Sequence, residues 1–145
     1  MNIRPAILII QDNKILTMQY RYGDTDVYNL PGGNVEFGET MSDTLAREMV
    51  EELNIEVTVN ELIAIGEVFF PEKKKHTLHA LFKGKIINGD PIINPAETSA
   101  LAVKWLNIND LPNINLYPNI TNTIVKYLNN QLDNPYIGQI NQQWF

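Results

Sequence analysis

The stretch from Gly32 to Ile55 constrains this chain more than any other. Two adjacent glycines are followed by Glu39 and then by Arg47-Glu48-Met49-Val50-Glu51-Glu52-Leu53-Asn54-Ile55. On a helix of 3.6 residues per turn, Glu48, Glu51 and Glu52 stand at i, i+3 and i+4 and share one face, with Arg47 four residues before Glu51. Leu45, Met49, Val50 and Leu53 are expected on the other, core-facing side. Like charges spaced this way repel one another unless cations sit among them. Three oxygen donors on one face suit a hard divalent ion, although such a stripe by itself also fits a solvated surface. Ahead of the helix, Pro31 holds Leu30 extended, and Gly32-Gly33 permit backbone angles closed to other residues, so that a carbonyl or amide is exposed there. Thr40 or Ser42 is expected to cap the helix start, with Asp43 favoured by the helix dipole, and Asn54 marks its end.

Around this helix the chain is rich in strand patterns. Ile3 to Ile10 and Lys14 to Met18, separated by Gln11-Asp12-Asn13, predict a two-stranded hairpin whose first strand is buried on both faces. Residues 21–27 read as a loop, and Tyr28 to Leu30 as an extended segment. Strand character runs from Ile55 to Phe70, interrupted near Asn60-Glu61. It turns at Pro71-Glu72-Lys73-Lys74-Lys75, where the lysines are expected in solvent, and returns from His76 to Ile87 before the turn signal Asn88-Gly89. A short strand is expected at 102–106 and a helix from Pro118 to about Leu132, with Ile120, Ile124 and Leu128 on its core face. The last residues, 136–145, carry Tyr136, Ile137, Ile140, Trp144 and Phe145 among polar neighbours and are expected to dock on the body or on a second subunit. Strands on both sides of one helix, with a second helix late in the chain, predict an α/β sandwich around a mixed sheet, one domain over residues 1–145.

Bulk properties narrow the function classes. A net charge of -6 provides no basic patch for a polyanion, so a nucleic-acid partner is not expected, and a phosphate-bearing ligand has to be held by metal ions and local donors. The chain has no cysteine, which removes disulfides, thiolate metal sites and cysteine nucleophiles, and fits a cytoplasmic location, though exported proteins can lack cysteine too. The apolar run Pro5 to Ile10 is too short for a secretory core. Nothing approaches the roughly 18 apolar residues that cross a bilayer, so no membrane partner is expected.

The register of Gly33, Glu39, Arg47, Glu48, Glu51 and Glu52, with aliphatic Met49 and Ile55, resembles the Nudix hydrolase signature. With ordinary residue usage of roughly 5–10% per type, six such matches in register arise by chance only about once in millions of windows. One position departs: Asn54 stands where the signature has glycine, at a helix end where Asn is the best replacement in the left-handed conformation. Glu36, and Trp105 ahead of an acidic turn at Asp110, extend the likeness over most of the chain.

The resemblance implies a Nudix-type α/β/α sandwich, and that Glu48, Glu51, Glu52 and the carbonyl of Gly32 hold Mg²⁺ or Mn²⁺. It implies further that Arg47 and Glu39 brace the glycine loop against the helix, and that the general base comes from the motif helix or from a loop glutamate, for which Glu97 is the candidate. The implied reaction is in-line attack of water on a diphosphate linkage of a small nucleoside diphosphate derivative. ADP-ribose-like nucleotide sugars rank ahead of damaged nucleoside triphosphates, since Pro71 is placed as in some ADP-ribose hydrolases of the family. Tyr28 is a candidate to stack on a base, and Arg21 and His79 to meet phosphate or sugar. A homodimer is expected from the family habit. A non-catalytic nucleotide sensor is the competing reading, countered by the intact acidic cluster. An isomerase of the same fold is countered by the missing cysteine, and RNA decapping by the acidic balance.

Overall fold

The computed structural model describes residues 1–145. Strands β1 (Asn2–Leu8), β2 (Ile10–Gln11), β3 (Lys14–Tyr22) and β4 (Thr25–Asn29) precede helix α1 (Met41–Leu53). Then follow β5 (Glu56–Phe70), β6 (Lys75–Asn88), β7 (Ala102–Asn107), β8 (Leu116–Tyr117), helix α2 (Thr121–Leu128) and β9 (Tyr136–Gln139). The mixed α/β architecture read from the sequence is present, with the strands divided between two sheets. One sheet has the order β1-β6-β5-β9, with β1 parallel to β6 and β9 parallel to β5. The other runs β2-β3-β4-β8, with β7 also paired to β3. No helix is long and apolar enough to cross a membrane.

The first strand is buried on both faces, as its unbroken apolar run predicts. Ala6 and Leu8 point into a cluster that includes Ile124 of α2, whereas Ile7 and Ile9 point into a second cluster with Leu45, Met49 and Leu53 of α1. The helices therefore cover opposite faces. The expected hairpin is confined to Ile10–Ile15, turning at Asp12-Asn13, both in the left-handed region. Most of the first strand pairs instead with β6, because the chain passes from one sheet to the other at Ile9.

Four further local expectations need correction. Residues 21–27 are not a loop but the arms of the β3–β4 hairpin, turning at Gly23; their polarity reflects exposure, and Arg21 and Asp26 form a cross-strand ion pair. The second helix is shorter than expected, because Pro118 precedes it and Asn130 adopts a left-handed conformation just past its end. There the Gln131 N–H donates to the Lys126 carbonyl and the Asn130 N–H to Tyr127, the closing pattern of a Schellman motif. Val50 is 52% exposed, since the buried stripe of α1 is the narrow Leu45, Met49, Leu53 row and Val50 lies beyond its edge. The irregularity near Asn60-Glu61 is a register shift within one continuous strand.

Candidate active site

Local chemistry sets α1 in place. Thr40 caps it in a capping box: the Asp43 N–H donates to Thr40 Oγ1 at 3.1 Å, and the Thr40 N–H donates to Asp43 Oδ2 at 3.0 Å. Asn54 closes the other end at φ 56°, ψ 40°, with the Ile55 N–H donating to the Met49 carbonyl. Gly32 and Gly33 are required for space rather than for unusual backbone angles. A Cβ on Gly32 would collide with the Pro5 carbonyl of β1, and one on Gly33 with the Glu48 carboxylate. Two bonds pin the turn to β1, Ile7 N–H to Pro31 C=O and Gly33 N–H to Pro5 C=O, leaving the Gly32 carbonyl outside the ladder.

Arg47 joins the pieces. Its Nε donates to Glu39 Oε2 at 2.6 Å and its Nη2 to Glu39 Oε1 at 3.0 Å, a two-pronged pair. Its Nη1 reaches Glu48 and Glu51, each at 3.1 Å. Glu39 Oε1 also accepts from the Glu36 N–H and the Thr44 hydroxyl. The hydrogen bonds from Arg47 hold the Glu39 carboxyl down at about 2.

A cavity of about 680 Å³ opens beside this helix. Glu48, Glu52, Gly32 and Gly33 line it, together with Arg4, Tyr117, Phe70 and Trp144. Arg4 lies between the acids and the aromatic rings: its guanidinium stacks 5.3 Å over Tyr117, its Nη2 donates to the Leu30 carbonyl at 3.4 Å, and its buried Nη1 has no partner. Burial, and then the adjacent Glu48 charge, push Glu52 up to about 7. Burial also raises Glu48, against the pull of Arg47.

The donors along this wall are all oxygens, and Gly33 leaves room for the Glu48 carboxylate against the turn; both features fit a hard divalent cation. As they stand, no three acidic or histidine side chains converge enough to enclose one, because Glu51 is drawn onto Arg47 and does not line the cavity. Glu48, Glu52 and Gly32 are thus brought together, and Glu51 would join them by releasing Arg47.

Other residues read from the sequence lie elsewhere. Glu97 is exposed, and its loop is tied to the helix end by Asn94, whose Nδ2 donates to the Glu51 carbonyl and whose N–H donates to that of Glu52; Glu97 itself does not line the cavity. Arg21 pairs with Asp26 in solvent. Tyr28 does not line the cavity, unlike its neighbours Val27 and Asn29, which strand alternation turns to the opposite face. His79 is 3% exposed against Tyr117, kept neutral by burial and by the Arg4 charge, with its pKa lowered to about 3. Lys73 and Lys75, expected only in solvent, stand at the cavity rim. Arg4, Tyr117 and Trp144 were not legible as site residues, since single residues in strands and tails carry no spacing signal.

A model of the NUDIX domain matches residues 1–127. The chain belongs to the Nudix family. Among curated relatives it is 31% identical over 112 residues to the NAD-capped RNA hydrolase NudC of Escherichia coli, a match covering 76% of this chain and 41% of that protein. Its fold resembles a Nudix hydrolase from Nitrosomonas europaea, with a TM-score of 0.74 at 23% identity over 90% of each chain. It also resembles an ADP-ribose pyrophosphatase from Streptococcus suis, with a TM-score of 0.67 at 20% identity over 95% of this chain and 97% of that one. A third similar structure is a UDP-X diphosphatase, with a TM-score of 0.72 at 20% identity over 93% of this chain and 66% of that one.

Proposed function

We propose that this chain hydrolyses a diphosphate linkage in a nucleoside diphosphate derivative, using Mg²⁺ or Mn²⁺ held by Glu48, Glu51, Glu52 and the Gly32 carbonyl. The observation that carries this reading is one cavity wall on which Glu48, Glu52 and Gly32 lie close to a cation, Arg4, with an unpartnered N–H. A bound divalent ion neutralises phosphate oxygens and acidifies water. Arg4 lines the cavity and offers its guanidinium charge to a phosphate oxygen, and its stack on Tyr117 fixes its direction. The exposure of Glu97 outside the cavity favours the motif helix as the source of the base, with Glu52 receiving the proton that the attacking water gives up as the bridging P–O bond breaks.

A nucleotide sugar such as ADP-ribose is the favoured substrate. The cavity has the volume of a small-molecule site, and similar folds bear the names ADP-ribose pyrophosphatase and UDP-X diphosphatase. The test is turnover with Mg²⁺ or Mn²⁺ across ADP-ribose, other nucleotide sugars, nucleoside triphosphates, dinucleoside polyphosphates, NADH and an NAD-capped oligonucleotide, the last because of the NudC likeness. Glu52→Gln should lower turnover by at least about 100-fold while the circular dichroism spectrum is unchanged and the melting midpoint does not fall. Full activity in that variant refutes the assignment. Tight binding of one compound with no turnover of any would instead favour the sensor reading.

A further inference from the structure

The last ten residues are fastened along their length. In β9 they extend the sheet beside β5, where the Ile65 N–H donates to the Pro135 carbonyl and the Ile140 N–H to Glu67, each at 2.7 Å. Ile137 and Ile140 seat on Gly66, where a Cβ would come within 2.8 Å of both side chains. Beyond the strand, the Asn119 N–H donates to Gln142 Oε1 at 2.8 Å, and Asn119 Nδ2 donates to the Asn141 carbonyl at 2.9 Å. This anchoring delivers Trp144 to the cavity. There its indole stacks on Phe70, with centroids 4.6 Å apart and planes 16° apart, and leans on Tyr117 at 6.1 Å.

Fastening of this kind fixes the indole, yet Trp144 remains 43% exposed while lining the cavity. Covering Phe70 is therefore not all the ring does: part of its surface stays open to the space that also holds Arg4 and the carboxylates. The order of contacts runs from Phe70 to Trp144, to Tyr117, to Arg4. An aromatic ring at Trp144 and a cation at Arg4 on one cavity suit a ligand that carries both a base and a phosphate, as a nucleotide does. With centroids 4.6 Å apart, no third ring fits between Trp144 and Phe70, so a base stacking here has to use the indole face turned away from Phe70.

Resting on the diphosphate-hydrolysis reading, we propose that Trp144, positioned by residues 136–143, is the stacking platform for the base of the substrate and a determinant of its specificity for nucleotides over base-free phosphates. The test uses the full chain carrying Trp105→Phe, so that Trp144 is the sole indole, with AMP and ribose 5-phosphate as probes. AMP should quench the emission saturably, and ribose 5-phosphate should not. Trp144→Ala should raise the Kd for AMP, read by calorimetry, by about 10-fold, and Trp144→Phe should restore most of it. In turnover with ADP-ribose, the loss in Trp144→Ala should fall mainly on KM. The titration needs no catalysis, so a chain that turns nothing over yet shows the quench loses the hydrolase reading and keeps the platform. Unchanged emission with AMP, wild-type AMP affinity in Trp144→Ala, or faster turnover after deletion of residues 141–145 would each overturn the platform, the last by making the segment an obstruction.

Discussion

Arg47 and Arg4 divide the work of positive charge at this site. Arg47 has its fork filled by Glu39 and its remaining nitrogen by Glu48 and Glu51, which leaves it a structural cation. Arg4, on β1, has its side chain tied by hydrogen bond only to the Leu30 carbonyl and lines the cavity. His79 beneath it carries a measurable consequence. Burial holds its pKa near 3 in the folded protein against 6.5 ordinarily, so unfolding between those values takes up a proton and stability rises with pH there. Glu52 has the opposite sign. Its proton is retained up to about pH 7, and the stability it contributes is lost as pH rises from 4.5 through 7. Urea unfolding of the metal-free protein should therefore show the advantage of wild type over His79→Gln growing by about 2 kcal/mol from pH 5 to pH 7. Parallel stability curves would mean that His79 is not kept neutral by burial.

At the scale of elements, α1 is defined by its two ends and by a narrow apolar row. Asn54 is in the left-handed conformation, where a Cβ is strained and Asn tolerates it better than most. Asn54→Gly should stabilise the fold by about 0.5 kcal/mol, and Asn54→Ala should destabilise it by about 1 kcal/mol, both read from thermal midpoints. A gain in stability with alanine would contradict the cap geometry. This helix was legible because everything that makes it is local: the cap, the carboxylate spacing and the Leu45, Met49, Leu53 row lie within four turns of one another. The tip of the β3–β4 hairpin was not, because Arg21 to Asp26 are mostly polar and lie wholly or partly in solvent, giving no apolar alternation. The end of α2 was misjudged for a related reason, since Asn130 adopts a left-handed angle in a run of polar residues that any coil would also show.

For the whole molecule, the decisive event is the return of the last residues across the first sheet. Gly66 makes room for them, and a larger side chain there meets Ile137 and Ile140. Gly66→Val should release residues 136–145, seen as lost hydrogen-exchange protection in that segment while the amides of α1 keep theirs. Unchanged protection would show that the sheet pairing of β9, not this packing, holds the segment. The same docking brings Trp144 beside Tyr117, which lies on a strand of the other sheet, so the aromatic part of the cavity exists only when both sheets and the closing segment are assembled.

The sequence by itself determined the acidic helix, its end at Asn54, the glycine turn before it and the family, because each rests on spacings of a few residues that helical geometry converts directly into faces. Only the tertiary structure decided that Tyr28 turns away, that His79 is buried, that Glu51 rests on Arg47, and that Arg4, Tyr117 and Trp144 share one cavity. The physical reason is register. A strand residue can face either side of its sheet, and which one it takes is settled by pairing with segments far along the chain, at the arrangement that buries the apolar surface of all of them together.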